Sequence, residues 1–353
     1  MKDILIIGGG IAGVSAAAAL APSAKVTLLE AESALGYHTS GRSAAMYLAE
    51  FGNAVVRALN HASYDGLKHV LTPRGMLLVG RAEDEAGFKA ESTGFGMAEI
   101  SVADAIERLP VLHPERVTFA AARDDVFDLD TDRLLQGYAK TARQHGAKIV
   151  NNARVASITK VGHGWDVTTG TGRFQAETII NAAGAWADGV ARLAGVAPLG
   201  IQPYRRSMAR LPAPEGLDVR DWPFTISVGE RWYAKPDAGS WLVSPADEEM
   251  AKPHDAWPDD MVLAEGLARY EEMVTAPVTR LQTSWAGLRS FAPDHSLVVG
   301  PDKVTASFFW LAGQGGYGFQ SAPAASRLVA DLVLGRVPEL KPEVVSALDP
   351  ARF

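Results

Sequence analysis

The N-terminal stretch MKDILIIGGGIAGVSAAAAL, Met1 to Leu20, decides the fold, and it admits two readings. Ile4 to Leu20 carries no charge, and Lys2 with the alanine run imitates a secretion signal. Against that reading, Asp3 offsets the early positive charge. Gly8, Gly9 and Gly10 interrupt the supposed apolar core, where they would weaken a helix. Gly8, Gly10 and Gly13 also have the spacing G-x-G-x-x-G. A strand-like run, Ile4 to Ile7, precedes them and an alanine-rich helical run follows. A second β-rich run, KVTLLE, ends at the acid Glu30. Strand, glycine turn, helix, strand and terminal acid together form the dinucleotide fingerprint in its required context.

Each residue of the fingerprint has a physical task. Gly8 permits the tight turn, Gly10 lets a diphosphate approach the backbone, and Gly13 lets the helix pack closely on the sheet. The helix N-terminus, at Ile11 and Ala12, offers free N–H groups and a positive dipole end. Glu30, followed by Ala31, suits a ribose diol.

Composition bounds the remaining possibilities. The 353 residues suffice for two modest domains or one large one. With 47% hydrophobic and 21% charged residues, the chain is of ordinary soluble globular type. A net charge of −7 without a Lys/Arg cluster argues against nucleic acid and anionic membranes as partners. No stretch reads as membrane-spanning once the glycine-broken N-terminus is set aside. There is no cysteine, which excludes disulfides, thiolate metal sites, cysteine nucleophiles and sulfur-tethered cofactors. With the signal-peptide reading rejected, the expected compartment is the cytoplasm.

The pattern changes character along the chain. A helical stretch is expected near 45–70, and GMLLVG, Gly75 to Gly80, reads as a strand. Asp132 is read as the N-cap of a helix with Leu134, Leu135, Tyr138 and Ala142 on one face, ended by Gly146. Strands and a hairpin then lead to the buried run before NAAGAW. Residues 201–245 alternate as β structure, and Pro258 to Met273 reads as helix. After strands at Ser296 to Val299 and Phe308 to Ala312 come a glycine-rich loop, Gln314 to Gln320, and a helix from Ala322 to Leu334, stopped by Gly335. The expected fold class is α/β. A discontinuous Rossmann-like nucleotide domain (1–45, 128–200, 283–353) accompanies an α+β domain on a mainly antiparallel sheet (46–127, 201–282). A ligand pocket is expected between them.

Other signals are weaker. Asp128, Asp130 and Asp132 have D-x-D-x-D spacing, but Arg133 and Ala139 occupy positions where a calcium loop needs Gly and Glu. Helix capping is the better reading. The histidines show no metal spacing, no metal is expected, and no G-x-S-x-G elbow supports a serine hydrolase.

GRSAA (Gly41 to Ala45), NAAGAWAD (Asn181 to Asp188), PLGIQPYRRS (Pro198 to Ser207), YAKPDAG (Tyr233 to Gly239), WAGLRSFAPD (Trp285 to Asp294) and AGQGGYGFQSAPA (Ala312 to Ala324) follow the fingerprint in order. Together they resemble the FAD-dependent D-amino-acid oxidoreductase superfamily, which also holds glycine and sarcosine oxidases. Within it the chain is most similar to the bacterial D-arginine dehydrogenase type, almost end to end.

The resemblance implies non-covalent FAD and oxidative deamination of a D-amino acid. Hydride would pass from Cα to flavin N5, and the imine would hydrolyse to a 2-oxo acid and ammonia. The electron acceptor would be a quinone, a dye-like acceptor or oxygen, and the assembly a monomer or small homo-oligomer. By motif position, Arg289 and Tyr233 match carboxylate-binding residues and Arg206 a third pocket residue. A guanidinium fork suits a buried carboxylate. The backbone of Gly315, Gly316, Tyr317 and Gly318 would face the N1–C2=O edge of the flavin, with Phe319 and Gln320 beside it. Arg42, Ser43 and Ala44 would lie near the diphosphate or ring. Val155 would meet the adenine, and Ala183, Gly184 and Trp186 would pack on the cofactor. His38, in the flavin-side loop, is read as a solvated loop histidine. No general base is assigned, because the amine can arrive neutral.

The chain departs from the D-arginine pattern where substrate is chosen. That pattern has an acid in the strand-entry loop, where this sequence has Gly75 and Met76; it has histidine at Met46 and tyrosine at Phe51. A more apolar pocket is expected, selecting neutral or apolar D-amino acids, unless Glu50 replaces the missing acid. The alternatives are a glycine/sarcosine-type amine oxidase, a non-catalytic FAD-binding module, and an NAD-dependent dehydrogenase using only the N-terminal fingerprint. The last leaves GQGGYGFQ unexplained.

Overall fold

A computed structural model describes all residues, 1–353. The fingerprint forms the centre of a six-stranded sheet. Strand β1 (Asp3–Ile7) pairs in parallel with β2 (Lys25–Leu29) on one side and with Thr178–Asn181 on the other. Lys148–Val150 and Phe308–Ala312 extend the parallel sheet outward. Val298–Pro301 closes one edge antiparallel.

The pleat sends alternate residues of β1 to opposite faces. Ile4 and Ile6 join a core shared with helix α1 (Ile11–Leu20), the helix Thr131–Gln144 and the helix Gly318–Leu334. Leu5 and Ile7 join a second core beneath a three-stranded antiparallel meander. Sandwiched this way, the strands read as unbroken apolar runs. Helix α1 is nearly all buried, which explains why it resembles a signal segment.

Two of the expected boundaries move. Asp130, rather than Asp132, caps its helix, accepting from the Arg133 N–H at 2.9 Å. The last helix starts at Gly318, four positions before Ala322. Gly335 ends it in the left-handed conformation at φ 71°, as expected. Pro323 sits in its second turn, where its missing N–H leaves the Phe319 carbonyl without its helical donor.

The second layer is a nine-stranded, mainly antiparallel sheet containing one parallel pair, Phe224–Ser227 on Met76–Gly80. Two segments sit on the other side of the expected domain boundaries. The strand Thr283–Phe291 pairs along its whole length with Gln202–Leu211, so it belongs to this sheet and carries Arg289 with it. Helix α2 (Ala54–Leu67) packs on the last helix, contributing Val56, Leu59 and Leu67 to the nucleotide-side core. A Cβ on Gly66 would lie 2.9 Å from Pro323, and that close approach needs a glycine.

Candidate functional site

Two connected hollows lie between the layers and share Gly10, Thr39, Ser40, Ala182 and Gly184 as lining. One, of about 340 Å³, runs over the carboxyl ends of β1 and β2 and is lined by Gly8, Glu30, Ala31, Val155, Ala183 and Trp186. The other, of about 200 Å³, reaches under the antiparallel sheet. The N-terminus of α1 stands at the waist between them, which suits an extended dinucleotide with its diphosphate there.

The waist leaves no room for side chains. A Cβ on Gly8 (φ 115°) would stand 2.3 Å from the Ala182 carbonyl oxygen, and one on Gly13 would stand 1.9 Å from that of Gly8. Gly13 is therefore a packing residue and does not line the cleft. The Glu30 carboxylate is buried and accepts from the Gly9 N–H at 2.6 Å and the Glu32 N–H at 2.8 Å. Each oxygen keeps a further lone pair for a ribose hydroxyl.

The Gly36–Ala45 loop departs from expectation. Arg42 lines the cavity, but its guanidinium turns away from any diphosphate. It donates to the Ala256 and Ala286 carbonyls and pairs with Asp255, pinning the loop to the second layer. Ser43 accepts from the Ala45 N–H, and Ala44 and Ala45 face the cavity. His38 is half-buried rather than solvated. It is held by Glu32 at 3.2 Å and packs on the Trp186 ring with centroids 4.6 Å apart.

At the start of the last helix the expected donor set is only partly free. The Gly315 N–H goes to the Ser290 carbonyl and the Tyr317 N–H to that of Gln314. The first-turn N–H groups of Gly318, Phe319 and Gln320 have no preceding helical turn to bond. Tyr317 packs between Phe51 and Phe291 and does not line the cavity. Burial raises its hydroxyl pKa. The Gln320 amide nitrogen and the Ser290 hydroxyl are buried, line the cavity and have no partner within the chain. Donors of this kind fit a polar ring edge.

Arg289, Arg206 and Tyr233 converge on the inner cavity. The Arg289 guanidinium makes no hydrogen bond. The nearest carboxylate, Glu230, lies 4.0 Å away, and Gly316 is so close that a Cβ on it would stand 3.3 Å from the guanidinium carbon. Burial and the neighbouring Arg206 push its pKa below the usual arginine range, while Tyr233, Glu230 and Glu248 pull the other way. Arg206 is engaged at both terminal nitrogens, by Glu230 at 2.7 Å and Glu248 at 3.0 Å. Burial lowers its pKa, but Tyr233 and the two carboxylates outweigh burial and raise it. It supports the site and presents no free fork. The Tyr233 hydroxyl has only the Met208 sulfur, at 3.3 Å, a weak acceptor.

The rest of the inner wall is apolar: Met46, Phe51, Met76, Val126, Phe224 and Ile226. Gly75 does not belong to it. It occupies the preceding turn at φ 71°, and Met76 takes its place at the cavity. Glu50 turns to His61 at 3.2 Å and Arg57 at 3.9 Å, away from the cavity. The sequence reading missed Glu230, Met208, Phe224 and Ile226. Period-2 alternation in 201–245 could have placed Met208, Phe224 and Ile226 on one face, but nothing local marks that face as the lining, and Glu230 lies in a turn that alternation does not reach.

Asp128 pairs with Arg74 and Lys235, and Asp130 caps a helix, so neither is free for a calcium ion. No helix is long and apolar enough to cross a membrane.

Residues 3–332 match the family model described as DAO, FAD dependent oxidoreductase. Among curated proteins, FAD-dependent oxidoreductase domain-containing protein 1 of Xenopus laevis is 30% identical over 181 residues, covering 44% of this chain and 34% of that protein. L-2-hydroxyglutarate dehydrogenase of Escherichia coli K12 is 29% identical over 237 residues, covering 61% of this chain and 55% of that protein. The chain thus spans a third to a half of the length of these relatives. Among solved structures, L-proline dehydrogenase from P. horikoshii superposes with TM-score 0.84 at 23% identity, covering 100% of this chain and 97% of that one. Glycine oxidase from Geobacillus kaustophilus gives 0.83 at 20%, covering 100% and 99%. At such identities the likeness is one of fold.

Proposed function

The chain belongs to the DAO family of FAD-dependent oxidoreductases, and from that premise we propose that it oxidatively deaminates neutral or apolar D-amino acids. FAD, when bound, supplies the two-electron acceptor for hydride leaving the amine-bearing carbon. The fingerprint turn, Glu30 and the α1 N-terminus would hold its nucleotide half. The backbone around Gly316 to Gln320 and the Ser290 hydroxyl would hold its ring.

The observation that carries the substrate reading is the half-buried Arg289 guanidinium, which lines a largely apolar cavity with no hydrogen bond and only Glu230, at 4.0 Å, as a charged partner. A buried cation without a partner is unfavourable, so the site is complete only with an anion. A substrate carboxylate bound to both prongs satisfies it and fixes the adjacent Cα. The Tyr233 hydroxyl can donate to the same carboxylate. Met46, Phe51, Met76, Val126, Phe224 and Ile226 take the side chain and exclude water. No base is required when the amine enters neutral. The imine product then hydrolyses to a 2-oxo acid and ammonia.

The motif pattern supports the D-arginine dehydrogenase-like subtype, whereas the lining supports a different selectivity. With Gly75 out of the wall and Glu50 turned away, the one carboxylate on the lining is Glu230, already paired with Arg206, so a distal guanidinium finds no free carboxylate. The test compares kcat/KM for D-leucine, D-methionine and D-phenylalanine with that for D-arginine, the L-isomers, glycine and sarcosine. The apolar D-isomers should lead, and D-arginine ahead by tenfold reverses the selectivity.

A further inference from the structure

Glu230 is the one acidic side chain lining the inner cavity, and its placement is costly. It sits at φ 48°, a left-handed conformation unusual for a residue with a Cβ, directly after Gly229 at φ 74°. Surrounding contacts hold the turn in place. Glu91 accepts from the Gly229 N–H at 2.8 Å, and Arg231 pairs with Asp84. The turn aims the Glu230 carboxylate at Arg206, 2.7 Å away, on the cavity side. Glu248 takes the other terminal nitrogen from outside the cavity lining.

Two guanidinium groups, Arg206 and Arg289, face two carboxylates, Glu230 and Glu248. Both carboxylates are committed to Arg206. One cation, Arg289, therefore remains for ligands, enough for one carboxylate. A substrate with a second carboxylate finds no second cation. Its distal group must enter the apolar depth or approach Glu230, which already lies 4.0 Å from Arg289. The first is penalised by desolvation and the second by like-charge repulsion.

We propose that Glu230 is a specificity-determining residue: by occupying the cavity side of Arg206 it excludes dicarboxylic amino acids from a site that accepts monocarboxylic ones. This rests on the amino-acid reading above. Removing the Glu230 charge releases the cavity-facing nitrogen of Arg206, which then receives the distal carboxylate of a substrate anchored at Arg289.

The test uses the FAD-loaded enzyme and three variants, Glu230→Gln, Glu230→Gly and Glu248→Gln. Glycine suits the left-handed backbone at 230, so Glu230→Gly guards against a misfolded glutamine variant. Oxidation of D-glutamate and D-leucine is measured alongside binding of glutarate, a dicarboxylate that cannot be oxidised as an amine. Both Glu230 variants should raise kcat/KM for D-glutamate relative to D-leucine at least tenfold and bind glutarate at least tenfold tighter than wild type. Glu248→Gln removes the same formal charge outside the lining and should produce neither gain. The filter is overturned if folded Glu230 variants oxidise D-leucine without either gain, or if Glu248→Gln gains equally. Absence of D-amino-acid oxidation in every form overturns the functional reading instead, and glutarate binding still decides the filter.

Discussion

Replacing Arg289 with methionine should separate function from stability. In the proposed complex the guanidinium donates two charge-assisted hydrogen bonds to the substrate carboxylate. At about 1.5–3 kcal/mol each, their loss removes about 3–6 kcal/mol of transition-state binding. With about 1.4 kcal/mol per decade, kcat/KM should fall roughly a hundredfold to ten-thousandfold. Stability should move the other way. Burial and the adjacent Arg206 already disfavour the charged form of Arg289, and no hydrogen bond compensates within the chain. An unbranched apolar side chain of similar length removes that unfavourable charge, so Tm should stay level or rise. The assay pairs steady-state kinetics on D-leucine with thermal unfolding at equal FAD saturation. A fall in kcat/KM below tenfold, or a loss of activity that tracks a falling Tm, refutes the assignment.

Three further outcomes follow from the same geometry. Gly316→Ala places a Cβ 3.3 Å from the Arg289 guanidinium carbon, tighter than ordinary contact, so KM for amino acids should rise about tenfold, by the misplacement argument, while FAD binding, read by absorbance, persists. Lys235→Met removes a buried ammonium that donates to the Ala44 carbonyl at 3.1 Å and pairs with Asp128 at 2.5 Å. Because Asp128 keeps Arg74, the cost should be near the low end for a buried pair, about 3 kcal/mol in urea unfolding, with faster amide exchange at Ala44 to Met46. Asp255 has its pKa lowered below 3.8, first by its hydrogen bond from Arg42. A depressed folded pKa gives stability that is present above the unfolded value and lost as pH falls through the folded one. The stability advantage of wild type over Asp255→Asn should therefore be constant near neutrality, begin to fall only near about pH 4, the ordinary carboxylate range, and disappear as pH drops further through the lowered folded pKa.

The nucleotide half of this site is legible because its physics is local. Gly8, Gly10, Gly13 and Glu30 act through turn geometry and helix ends set by near neighbours in sequence. Met46 and Phe51 also reach the cavity wall as expected. Other parts depend on which strand lies beside which. Arg206 is found in its motif, but its occupation by Glu230 and Glu248 depends on how the 228–230 turn and the 245–249 segment fold beside the strand Gln202–Leu211. Nothing in the local pattern of Thr283–Phe291 shows that it pairs with Gln202–Leu211, nor does α2 signal that it packs on the last helix. Gly75 illustrates the opposite error. A motif alignment places it at the pocket, while the turn it makes sends Met76 there instead.

Anaerobic titration of the purified yellow protein with D-leucine, followed by flavin absorbance, tests the central claim most directly. Stoichiometric bleaching by D-leucine, with no bleaching by L-leucine, is the expected result. A flavin spectrum unchanged by D-leucine, D-methionine and D-phenylalanine would contradict the account.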